Sequence, residues 1–156
     1  MILTSEEARA WGPQNVEPEY EKKGEIVTID DLDMYVVGNG PNGKNLTARH
    51  YVTFISAIIW NYHIYGFGGG RNFEYSDYFA ENGFTVVLPD FFRGEGLTGA
   101  DFANMANVFA FNAKHTNWTN IQDDIDNKIL PYLRKEHGIS TFGSIGTCWG
   151  GYNAVR

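Results

Sequence analysis

The sequence predicts a doubly wound α/β fold with a mostly parallel sheet, and three observations point to it. Short β-prone runs at 57–62, 84–88 and 141–146 alternate with helix-like segments at 71–81 and 118–137, the order of parallel strands joined by right-handed helical crossovers. The last run leads into Gly146-Thr147-Cys148-Trp149-Gly150-Gly151, a Gly-x-Cys-x-Gly turn set between a strand and residues that can start a helix. The loops after Tyr62, Leu88 and Gly146 therefore leave one edge of the sheet, where ligand sites of such folds form.

Composition sets the bounds. A chain of 156 residues with 43% apolar and 15% aromatic side chains can bury the core of one domain. A net charge of −7 argues against nucleic acid or an anionic membrane as the main partner, since both select basic surfaces. One cysteine excludes an internal disulfide and a multi-cysteine metal site, and it points to a reducing, cytoplasmic setting; neither cofactor nor metal is expected. Residues 1–10 carry Glu6 and Glu7 and no apolar core, so they read as neither a secretory signal nor a transit peptide. No window approaches the ~20 apolar residues of a membrane span. Without secretion, Asn45-Leu46-Thr47 and Asn117-Trp118-Thr119 read as chance glycosylation sequons.

Thr4 and Glu7 are spaced as a capping box for a short helix, and residues 1–24 together read as a loosely ordered lead-in to a domain at 25–156. Glu25 to Ile29 and Asp33 to Val37 form a hairpin around Asp30-Asp31-Leu32, and the Gly38–Gly43 cluster ends its second strand. Residues 51–62 form one β-prone run about twice the usual strand length of roughly five to six, so something is bent or inserted there. Ala57 to Tyr62 is its buried parallel-strand half.

The loop His63 to Gly70 lacks the third glycine of a dinucleotide fingerprint, and no Gly-Lys-Ser/Thr follows, so a backbone beside a reacting carbonyl fits better than phosphate binding. Arg71 to Glu81 reads as a helix with Tyr75, Tyr78 and Phe79 on one face, closed by Gly83. Phe84 to Leu88 is a buried strand stopped by Pro89. Asp90 and Arg93 in the following loop are a functional pair or a loop-fixing ion pair. Residues 97–114 are weakly periodic and read as an irregular helix over the site. Trp118, Ile121, Ile125, Ile129 and Leu133 mark a helix that ends at Gly138 and is kinked by Pro131, with His137 as a charge at its negative end.

At a strand-to-helix turn this sharp, the central residue takes a strained backbone conformation, and residues two positions away on either side must lack side chains. Gly146 and Gly150 meet that demand. The turn lifts Cys148 Sγ above the strand's carboxyl end and toward the positive end of the next helix, where a thiolate is favoured, and the Trp149 N–H faces whatever the sulfur attacks. The alternative is a small buried cysteine in a Gly-rich turn.

Three stretches carry a resemblance to a known family. They are Ile58-Ile59-Trp60-Asn61-Tyr62-His63-Ile64-Tyr65-Gly66, Asn82-Gly83-Phe84-Thr85-Val86-Val87-Leu88-Pro89-Asp90-Phe91-Phe92-Arg93-Gly94, and Ile145-Gly146-Thr147-Cys148-Trp149-Gly150-Gly151. Over roughly residues 20–156 the chain resembles the dienelactone hydrolases (carboxymethylenebutenolidases) of the α/β-hydrolase superfamily, in their N-terminal portion. The resemblance implies a doubly wound, mostly parallel sheet of the α/β-hydrolase type that is incomplete at its C-terminus. It implies hydrolysis of a small-molecule lactone, ester or thioester through an acyl-enzyme on Cys148. The oxyanion hole would come from the N–H groups of Trp149 and Ile64.

The chain departs from the family in three places. His63 stands where the family carries an acidic residue that modulates the thiol, which makes His63 a candidate modulator here and a solvated loop histidine otherwise. Residues 44–56 look like an insertion. The triad aspartate and histidine of the family lie downstream of the elbow, and none of His50, His63, His115 and His137 takes the place of the triad base. The expectation is thus a hydrolase fragment with an open sheet edge prone to self-association; the alternatives are a non-catalytic scaffold and a glutamine amidotransferase, against which the Pro89 to Gly94 stretch weighs.

Overall fold

The computed structural model describes residues 20–38 and 56–156. The capping box at Thr4, most of the lead-in, the turn cluster beyond Gly38 and the insertion up to residue 55 lie outside the described residues.

Five strands form one sheet in the order β1-β2-β4-β3-β5: β1 (Glu25–Ile29), β2 (Leu32–Val37), β3 (Ser56–Asn61), β4 (Thr85–Pro89) and β5 (Thr141–Gly146). The β1–β2 hairpin closes with Ile29 opposite Leu32, and Asp30 takes a left-handed φ of 55°, a conformation that short polar side chains tolerate. β2 runs antiparallel to β4, and β3 runs parallel to both β4 and β5. Val86, Val87, Leu88, Ile58 and Ile59 are buried, as expected of β-branched runs covered on both faces.

Side-chain alternation assigns the layers. Trp60, registered against Ile145, packs on Tyr75 and Phe79 of α1 (Asn72–Glu81), with ring centroids 5.5 and 5.6 Å away. Phe142, registered against Ala57, lies on the opposite face under the Arg134 guanidinium of α4 (Leu130–His137). Helices thus cover both faces, the doubly wound arrangement expected.

Several expectations need correction in detail. β4 includes Pro89, which closes the strand opposite Met34 instead of lying beyond it. The segment after Leu97 is not an irregular helix: a 3₁₀ turn at Asp101–Ala103 is followed by a regular α2 (Met105–His115), whose cap Asn104 accepts from the Ala106 N–H at 3.1 Å. The Trp118-to-Gly138 helix is three pieces: α3 (Trp118–Asp124), a π turn at Ile125–Ile129, and α4. Pro131 has no N–H and its ring crowds the preceding turn, and the wider π turn just before it accommodates that defect. Gly138 then ends α4 in the left-handed conformation, φ 65°.

α1 buries a polar face. Tyr75, Tyr78 and Phe79 do share a side, but Tyr78 is 60% exposed, and the buried residues are Asn72, Ser76 and Asp77. The Asp77 carboxylate accepts from Tyr35 Oη (2.5 Å), Tyr20 Oη (2.6 Å) and the Lys23 N–H (3.2 Å), which ties residues 20–24 to the sheet. Burial and that carboxylate push both phenols well above their ordinary range.

Candidate active site

β5 delivers Cys148 to the carboxyl edge of the sheet, between Gly146 and the start of α5 (Trp149–Ala154). Cys148 is exposed and carries φ 56° and ψ −122°, a region sparsely populated by residues other than glycine. Both flanking glycines are sterically obligatory. A side-chain carbon on Gly146 would lie 2.1 Å from the Gly150 carbonyl oxygen, and one on Gly150 would lie 2.1 Å from the Asn61 oxygen. The turn is pinned from β3 as well: the Thr147 N–H donates to Asn61 O (3.1 Å), while Asn61 Nδ2 donates to Ser144 Oγ (2.9 Å) and Ile145 O (3.1 Å).

The three loops meet around aromatic rings. Trp149 packs against Phe92 from the loop after β4 (4.5 Å between centroids) and against Tyr62 from the end of β3 (5.9 Å). The Tyr62 hydroxyl donates to Asp90 Oδ1 (3.3 Å) and accepts from the Phe92 N–H (2.9 Å), and the Gly94 N–H donates to Asp90 Oδ2 (2.6 Å). Burial raises both the Tyr62 hydroxyl and the Asp90 carboxyl above their ordinary values, and for Asp90 the hydrogen bonds from Gly94 and Tyr62 oppose it.

Arg93 forms no side-chain pair with Asp90, contrary to the ion pair considered for them. It pairs with Asp31 (3.0 Å) and Asp124 (2.9 Å) and donates only to the backbone oxygen of Asp90 (3.2 Å). Lys128 joins the same two carboxylates, and its hydrogen bond, with that of Arg93, holds Asp31 well below the usual carboxylate range. This network fastens the β1–β2 turn and the β4 loop to α3 and the π turn.

The oxygen of Ile64 accepts from the Leu97 N–H at 2.9 Å, joining the loops after β3 and β4. His63 lies across the glycines of its own loop: a side-chain carbon on Gly70 would stand 3.0 Å from its Nε2, and its Nδ1 accepts from the Tyr65 N–H at 3.3 Å. That bond assigns the neutral tautomer with the proton on Nε2. Burial lowers its pKa.

The other described histidines serve packing and helix ends. His115 is buried against Phe92 and Phe111 and meets Glu95 at 3.0 Å, and His137 meets Tyr132 Oη at 3.2 Å. Among the described residues, no group of three or more His, Cys, Asp or Glu side chains is placed to hold a metal ion. The geometry offers an exposed thiol on a strained turn at the carboxyl end of β5.

Sequence reasoning did not single out Asn61 or Tyr62 as residues that position the site. Each is a polar group at the end of an apolar strand, the one signal that marks them.

Residues 54–156 match the model of the Dienelactone hydrolase family. The chain is 29% identical over 133 residues to a carboxymethylenebutenolidase homolog of Mus musculus, covering 85% of this chain and 49% of the relative. It is 28% identical over 138 residues to a hydrolase, pyvD, of Aspergillus violaceofuscus, covering 88% and 51%. A carboxymethylenebutenolidase homolog of Xenopus tropicalis is 26% identical over 133 residues, covering 85% and 48%. The chain spans about half the length of the curated relatives it matches.

Proposed function

Because the chain belongs to the dienelactone hydrolase family, we propose that it carries the nucleophile half of a hydrolase acting on small lactones, esters or thioesters, with Cys148 as the attacking group. The observation that carries this reading is the backbone at Cys148: φ 56° between two glycines whose hydrogens face carbonyl oxygens. A fold keeps a strained non-glycine residue where its surroundings over-determine it, and such sites concentrate at reacting groups.

In the proposed first step, Cys148 Sγ as thiolate adds to the carbonyl carbon, and the electron pair of the C=O bond moves to oxygen, which accepts from the N–H groups of Trp149 and Ile64. Collapse of the tetrahedral adduct expels the alkoxide, which takes a proton from solvent or an acid, and leaves a thioester. Water then adds to the thioester, returning the thiolate and releasing the acid. The triad aspartate and histidine that the family resemblance implies would act in that second half. His63 is proposed to modulate the thiol.

The test is the release of nitrophenol from p-nitrophenyl acetate. Cys148→Ala should lose the reaction, since removing a nucleophile costs on the order of 10⁴-fold or more. Wild-type rates in that variant would overturn the assignment of Cys148. In a separate alkylation assay with iodoacetamide, His63→Ala should change the pH dependence of thiol alkylation at low pH; an identical curve would remove His63 from the mechanism.

A further inference from the structure

In the loops after β3 and β4, two glycines leave no room for a side chain. A side-chain carbon on Gly96 would lie 2.4 Å from the Tyr65 oxygen, 2.6 Å from the Tyr65 carbonyl carbon and 3.0 Å from the Gly66 nitrogen. A side-chain carbon on Gly66 would lie 2.5 Å from the Glu95 oxygen, and Gly66 holds φ +92°. All these neighbours are backbone atoms, which cannot rotate away. The loops after β3 and β4 therefore interlock backbone on backbone, and the Leu97 N–H to Ile64 O bond (2.9 Å) fastens the same junction.

The interlock reaches a particular amide. Gly66 donates its N–H to the His63 oxygen at 3.1 Å. The His63 carbonyl and the Ile64 N–H share one peptide plane, which is rigid and holds the two groups pointing in opposite directions. Fixing the His63 oxygen therefore aims the Ile64 N–H. We infer that Gly66 and Gly96 are positioning residues for the oxyanion donor Ile64, acting through the Gly66 to His63 bond. The inference rests on the reading of Cys148 as nucleophile and Ile64 as donor, and it adds two residues, one of them on the loop after β4, to the machinery of that step.

The test separates addition to a carbonyl, which needs the oxyanion donors, from alkylation, which needs only the thiol. For each protein the rate of Cys148 acetylation by p-nitrophenyl acetate is divided by its rate of alkylation by iodoacetamide. Loss of one oxyanion donor costs ~10²–10³ in rate, so a donor turned off line by Gly96→Ala should lower this ratio by about tenfold or more, with alkylation changed by less than about twofold. Gly68→Ala is the control. A carbon at Gly68 meets nothing within 4 Å, so its ratio should match wild type. Leu97→Pro removes the N–H to Ile64 O without adding a carbon at Gly96; it should lower the ratio in the same direction, and it carries the test if Gly96→Ala does not fold. An unchanged ratio in the folded variants overturns the positioning role while Cys148 keeps its own. A wild-type ratio no higher than that of N-acetylcysteine overturns the reading beneath it as well.

Discussion

Cys148 is held at φ 56° by neighbours that leave it no alternative, and the strain of such a residue is of order 1–3 kcal/mol. The restraint comes from contact: Gly150 rests on the carbonyls of Asn61 and Tyr62, and Gly146 rests on Gly150. Gly150→Ala should therefore destabilise the fold by about 3 kcal/mol, the upper end of overpacking costs, because a backbone carbonyl stands where the methyl would go. The urea midpoint measures this, and a loss below about 1 kcal/mol would mean that the turn is softer than its contacts indicate. The need for glycine at 146 and 150 was legible in the sequence, since the Gly-x-Cys-x-Gly spacing states it. The need at 66 and 96 was not, because it depends on two loops some 30 residues apart in the chain lying against each other.

The strands were legible because Ile58, Ile59, Val86, Val87 and Leu88 form unbroken apolar runs that only a sheet covered on both sides buries. Helix α2 was blurred because its outward face carries Met105 and Phe109, the latter 67% exposed, which erases the apolar periodicity. α1 misled in another way: its buried side is held by hydrogen bonds that Asp77 accepts from the Tyr20 and Tyr35 hydroxyls, partners that no local pattern names. The partners of Arg93 are as distant, 62 residues back at Asp31 and 31 ahead at Asp124.

Between β3 and β4, Asp90 joins Tyr62 to Gly94, and its buried carboxyl has a raised pKa. A raised folded-state pKa means that the proton on Asp90 stabilises the fold; that contribution is complete below the ordinary value of 3.8 and is lost as pH rises through the raised value. The stability of wild type minus that of Asp90→Asn should accordingly fall as pH increases across this window and then level off. Denaturation of both proteins along a pH series checks the sign, and a flat or rising difference would contradict it.

Among the described residues the sheet ends in β1, paired only with β2, on one side and in β5, paired only with β3, on the other. Ile145 of β5 is 36% exposed beside an apolar recess lined by Trp60, Tyr75, Tyr78 and Phe79. An unpaired strand edge next to apolar surface is a template for another chain. Residues 1–156 should therefore sediment as species larger than the monomer at micromolar concentration, and Ile145→Lys should return them toward the monomer. A wild-type monomer at every concentration would contradict this. No helix among the described residues is long and apolar enough to cross a membrane. The nucleophilic role proposed for Cys148 can be read from mass spectrometry of the protein after brief exposure to p-nitrophenyl acetate, followed by peptide mapping. A single acetyl group should appear on the peptide containing Cys148, formed faster than on N-acetylcysteine at the same pH; acetylation spread over lysines with Cys148 unmodified would exclude that role.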